Sequence, residues 1–148
     1  MTNRMSARVL ASLLTLACSD AVGVAAQGEK KGAQIDETKL VKRPRKVECI
    51  GNTTVSLVGV SLRLQDVAIE ATGGCKVVIR NSHVSGSIAI QLVGPAEVTI
   101  ENSIVEGQTN WIEMSGDTTA TVKSSTIRGG TEKVGNATVK DLGDNVWK

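Results

Sequence analysis

The sequence predicts an all-β solenoid, a parallel β-helix of about four coils built from repeats of 21 to 22 residues. Three observations lead there. The phrase "VVIRNSHVSG" at 77 to 86 returns as "VTIENSIVEG" at 98 to 107 and as "ATVKSSTIRG" at 120 to 129. Within each copy apolar and polar residues alternate with period two, the signature of a short strand with one buried face. Gly and Asn recur at fixed offsets between the alternating runs, where a coil must turn a corner.

The chain has 148 residues, which suits one domain, and two Trp with no Tyr or Phe, so a core must come from Val, Ile, Leu and Ala. Residues 1–26 begin with Arg4 and Arg8, continue with an apolar run too short to span a bilayer, and end in small residues; this is an export signal. Two processing routes fit it. Cleavage after Ala26 gives a periplasmic or secreted protein. Processing in front of Cys18 in "LLTLAC", which resembles a bacterial lipobox with Thr15 where Leu is usual, gives a membrane-anchored lipoprotein. Asp20 and the two arginines fit a buried helix badly.

Residues 27–46, "QGEKKGAQIDETKLVKRPRK", show neither helical nor strand period and carry seven basic against three acidic residues; they read as a basic flexible linker. Its "KRPRK" could touch anionic lipid, polysaccharide or nucleic acid, with a solvated linker as the plainer reading. The formal net charge of +2 gives no global reason to expect a nucleic-acid partner.

Residues 47–130 form the predicted solenoid. Val55, Val77, Val98 and Ala120 share one column, and Leu57, Ile79, Ile100 and Val122 another two places on. Leu62, Val84, Val105 and Ile127 follow, then Val47, Ile69, Ile90 and Ile112, then Cys49, Ala71, Leu92 and Met114, so each repeat offers three short strands. Gly73, Gly94 and Gly116 mark one corner, and Gly86, Gly107 and Gly129 a second. Gly59, Asn81, Asn102 and Ser124 mark a third, where stacked Asn side chains can bond from coil to coil. Residues 131–148 break the spacing and are expected to be an irregular last coil and C-terminal cap, with Val146 and Trp147 over the last layer. Residues 35–41 are expected to shield the other end.

These repeats, with the intervening "AIQLVGPAE", resemble the right-handed parallel β-helix repeat of the pectate-lyase-like superfamily over about residues 47–130. The resemblance implies an architecture and not an activity, because that superfamily hosts enzymes, adhesins and unclassified repeat proteins. Cys49 falls in an inward column under Ala71, and Cys75 has the inward parity of Val77 just past the Gly73-Gly74 corner. The two thiols should face each other across that corner, and a disulfide between them is expected in an exported domain.

No catalytic constellation stands out, and no metal site or cofactor is expected. His83 is the single histidine, in a mixed column with no repeated partner. Arg80, Glu101 and Lys123 alternate in sign along one outward column, as cross-coil ion pairs would. Trp111, in a column with Ala68 and Ala89, is a candidate for stacking on a sugar ring if it points outward beside Asn110 and Gln108. Three functional readings follow. The first is a non-enzymatic envelope or secreted scaffold whose sheet faces bind an unidentified protein. The second is a carbohydrate-binding module with a polysaccharide partner. The third is a lyase or hydrolase dependent on Glu101 or Glu113.

Overall fold

A computed structural model describes residues 29–148; the leader, with Cys18 and both processing routes, lies outside the described residues. The alternating runs are strands, wound into a parallel β-solenoid of about five turns. The first turn holds β1 (Val41–Arg43), β2 (Val47–Ile50) and β3 (Thr54–Val58), and the second holds β4 (Val60–Arg63), β5 (Val67–Thr72) and β6 (Lys76–Arg80). From the third turn the first two strands fuse into one bent strand. The later turns are β7 (His83–Val93) with β8 (Glu97–Glu101), β9 (Ile104–Ser115) with β10 (Thr119–Lys123), and β11 (Thr126–Val134) with β12 (Thr138–Asp141); β13 (Val146–Trp147) follows.

One sheet stacks β3, β6, β8, β10 and β12 in parallel, so Leu57, Ile79, Ile100 and Val122 lie one above another, each at most 1% exposed. The other stacks β1, β4, β7, β9, β11 and β13, with β2 and β5 alongside. Burying each Ile or Leu of these columns contributes roughly 1.5–3 kcal/mol. Aliphatic stacking therefore supplies a core without aromatic layers.

Two expectations change. The solenoid has about five turns and not four, because both flanks join it. Val41, Lys42 and Arg43, expected in a flexible linker, pair with Val60, Ser61 and Leu62. At the other end β12 pairs with β10 and β13 with β11, so residues 131–148 continue the stack in register. The alternation is lost there for a physical reason: from Arg128 to Val134 every residue of β11 is exposed, so its backbone keeps the ladder while its side chains need not be apolar.

The corners keep the coils aligned. Asn81, Asn102, Ser124 and Asp144 take left-handed backbone conformations, with φ of 48°, 42°, 49° and 56°. Asn102 Nδ2 donates to Asn81 Oδ1 at 2.7 Å, which is the coil-to-coil bond expected of this column. The residue after each of these is polar and fully buried. Ser82, Ser103 and Ser125 accept the backbone N–H of Val60, Ser82 and Ser103 at 3.0, 3.2 and 3.1 Å, and Asn145 Oδ1 accepts that of Ser125 at 2.8 Å. Each serine hydroxyl also donates to the carbonyl two residues back, at 2.7 to 2.8 Å. Cys49 and Cys75 form a disulfide with Cα atoms 6.0 Å apart, tying the first turn to the second. Closing such a loop stabilises by about 3 kcal/mol on a chain-entropy account.

Gly107 tests the second glycine corner. A Cβ there would run into the backbone of Asn110 and Trp111, whereas one at Gly59 meets open space and strains only the backbone, with φ at 65°. Gly107→Ala should therefore lower unfolding free energy by about 3 kcal/mol and Gly59→Ala by about 1 kcal/mol. Urea unfolding followed by circular dichroism measures both; equal shifts would contradict the packing at Gly107.

Candidate functional site

The segment expected as a tether runs along the outside of the solenoid as a strap, counter to the direction of winding. Ala33 N–H donates to Thr126 Oγ1 at 3.2 Å on the fifth turn, and Gln34 N–H to Asn102 Oδ1 at 2.8 Å one turn back. Asp36 then caps the 3-10 turn Glu37–Lys39 by accepting from Thr38 N–H at 3.1 Å. Val41 N–H closes the path on the Gly59 carbonyl at 2.8 Å. Corner side chains exposed on successive coils thus provide the strap's seat.

Glu37 reaches back from the strap to His83, whose side chain is only 5% exposed. Nδ1 lies 2.9 Å from Glu37 Oε1 and 2.9 Å from Arg63 Nη2, and Nε2 lies 2.9 Å from Glu106 Oε2. A guanidinium can only donate and a carboxylate only accept, so the Glu37 contact needs a proton on Nδ1 and the Arg63 contact needs its absence. Arg63 also bonds Glu37 Oε2 at 2.7 Å, and Arg128 bonds Glu106 Oε1 at 2.6 Å. The histidine read as partnerless is therefore the centre of a cluster, and both ring nitrogens are engaged. The sequence hid the strap's share of this, because Glu37 lies 46 residues away off the repeat, while Arg63 and Glu106 lie on the coils below and above, in a neighbouring column.

Where the strap becomes β1, an open cleft of about 480 Å³ forms against the second turn. Leu40 and Pro44 give it apolar walls, Lys42, Arg43 and Arg63 line it with cations, and Ser61 and Glu37 complete it. Among the described residues no carboxylate lies within 4 Å of the charged groups of Lys42 or Arg43. Lys46, by contrast, is paired with Glu70, which raises its pKa above the usual lysine value. The cationic cleft was written in "KRPRK", but that the strand pairing holds it still was not.

The outward reading of Trp111 is corrected. Trp111 is 1% exposed in the core, and its indole N–H donates to Thr131 Oγ1 at 2.7 Å. Its column is inward on every coil: Ala68 and Ala89 are fully buried too, and at Trp111 the register shift that pairs Gly130 with Asn110 and Thr131 with Ile112 leaves it no paired residue in β11. Asn110 turns to Glu113 and Glu132 at 3.1 and 3.3 Å, and Gln108 is exposed; the three form no shared sugar surface. Arg80 and Glu101 pair at 2.7 Å as their column suggests, and Glu113 accepts from Asn110 and Gln91. Among the described residues no three His, Cys, Asp or Glu side chains are grouped to hold a metal ion.

Fold and geometry together define a parallel β-solenoid repeat protein. Compared with known proteins, the chain matches no family model, no curated protein and no solved structure.

One of the strap's contacts with the solenoid, that of Glu37 with His83 and Arg63, depends on a carboxylate. The hydrogen bond from His83, then the charges of His83 and Arg63, keep Glu37 below its ordinary value of 4.5, and bonds from Thr38 do the same for Asp36. A depressed folded-state value means that the contribution is complete above the ordinary carboxylate range and is lost as pH falls through the folded value. The Gln34 amide resonance, which reports the bond to Asn102, should move toward its undocked position as pH drops below about 4.5. Glu37→Gln should remove most of that acid dependence. An amide that stays fixed through the acid range would show that the carboxylates do not hold the strap.

Proposed function

We propose that this chain is an exported, non-enzymatic interaction scaffold whose partner-facing surface is the cationic cleft between strap and solenoid. The observation that carries the reading is Lys42 and Arg43, free of carboxylate partners among the described residues and fixed on a strand paired to β4 beside Arg63. Rigid strands present charges in a set pattern at little entropic cost, whereas a flexible tail must order on binding. The partner that suits three cations around a polar, half-open cleft is an anionic macromolecule; an acidic polysaccharide fits an envelope or extracellular location. The leader-like composition of residues 1–26 supports export. The repeat supports kinship with the right-handed parallel β-helices of the pectate-lyase-like superfamily.

The enzymatic reading has less behind it. His83 is enclosed by two carboxylates, Glu101 is tied to Arg80, and Glu113 is engaged by two amides, so none stands open as an acid or base. Surface ion pairs such as Arg80 with Glu101 contribute about 1 kcal/mol or less, which is ordinary for exposed strand faces.

Immobilised polygalacturonate tests the proposal. The chain should be retained at low salt and released as ionic strength rises, with Lys42→Ala/Arg43→Ala weakening binding at least about fivefold. Retention that is absent, or that ignores the double substitution, would refute a role for the cleft.

A further inference from the structure

At the far end of the strap lies a second surface, independent of the cationic cleft. Trp147 keeps 40% of its area exposed in a chain that has only two aromatic residues. Its indole N–H donates to Asp141 Oδ2 at 3.0 Å, which fixes the ring's rotation and occupies its one polar edge. Trp111 packs against it with centroids 5.8 Å apart and planes at 63°, and Trp111 is itself anchored to Thr131. The ring stands in a shallow depression of about 550 Å³ lined by Glu29, Lys30, Asn145, Val146 and Trp147. Asn145 is spent on the corner ladder, so Lys30 and Glu29 are the donor and acceptor left at the rim.

We infer that this depression is a sugar-binding site in which a pyranose ring stacks on Trp147 while Lys30 and Glu29 bond its hydroxyls. A pyranose has an apolar face of C–H groups and a polar rim, the complement of an aromatic surface bordered by charged side chains. A ring already held by Asp141 and Trp111 loses little freedom when a ligand arrives, which favours binding. Capping also belongs to Trp147, since it pairs in register with Ile127 above the buried column of Leu62, Val84 and Val105. A cap needs an apolar side chain only. The hydrogen-bonded orientation and the exposed area are what capping leaves unexplained.

The test uses neutral probes, to which the cations of the other cleft offer no charge attraction: soluble hexamers of β-1,4-linked glucose, of N-acetylglucosamine and of mannose. With two indole N–H resonances in the spectrum, addition of a binding hexamer should shift that of Trp147 and leave that of Trp111 nearly unmoved. Trp147→Phe should keep affinity within about threefold, and Trp147→Leu, which preserves an apolar cap, should weaken it about tenfold or more. If none of the three hexamers moves the Trp147 resonance, or if the leucine variant binds as tightly as the parent, the inference is wrong and Trp147 is a cap. Should the leucine variant fail to fold, Glu29→Ala/Lys30→Ala, outside the core, decides: a several-fold loss supports the site and unchanged binding overturns it. Failure here leaves the acidic-polysaccharide result untouched, and the reverse also holds.

Discussion

The structure depends on how each coil turns its third corner. A left-handed residue there points the next side chain inward, where a polar group would normally be costly. Ser82, Ser103, Ser125 and Asn145 solve this together: each accepts the N–H of the coil before it, the serines donate within their own coil, and Asn145 donates both to Asp141 in its own coil and to the Val122 carbonyl of the coil before. The N–H groups of Ser82, Ser103 and Ser125, which have a side-chain acceptor on the next coil, are thereby satisfied without water, and they add a side-chain lock to the backbone bonds that flank the bend. Aliphatic columns give the stack most of its stabilisation, but they are alike from coil to coil and would tolerate slippage. The polar ladder would not.

The same corner determines what lies outside. Asn102 and Thr126 face solvent at the corner and accept the backbone of the strap, and the outward ends of His83 and Arg63 meet Glu37. A repeat that evolved to turn a chain therefore also offers a row of acceptors and donors for a crossing segment. From that seat the strap delivers its basic end to the first turn as a strand, so the chemistry of "KRPRK" is displayed on a rigid edge. Lysine and arginine on an edge strand, with proline just past its end, also discourage pairing with other sheets, which is a use compatible with binding anions.

Much of this was legible in the sequence where side chains repeat. The inward columns, the glycine corners, the Asn81 to Asn102 contact and the Cys49 to Cys75 bridge all follow from a fixed step and a period of two. What was not legible has a common physical origin: it concerns places where the backbone keeps the pattern and the side chains abandon it. β11 pairs along its length with exposed side chains, so the fifth turn looks irregular in sequence. Trp111 shares an inward column with Ala68 and Ala89, but two alanines below a large ring do not say in letters which way that column faces. His83 gains one of its three partners, Glu37, from outside the repeat. The cationic cleft and the Trp147 depression are likewise made by the strap crossing the solenoid, and no periodicity records where a nonrepetitive segment lies.

The strap also imposes an order of events on the growing chain. Coil-to-coil contacts join residues about one repeat apart, so turns can form one after another as they leave the ribosome or a translocation channel. Ala33 and Thr126 are 93 positions apart, and the seat they share does not exist until the fifth turn has formed. The cationic end can pair with β4 as soon as the second turn exists, and Glu37 can reach Arg63 and His83 once the third has begun, whereas Ala33 must wait undocked until the fifth turn winds. Seating Ala33 is the last of the strap's contacts to become possible, and it marks a chain whose fifth coil has begun.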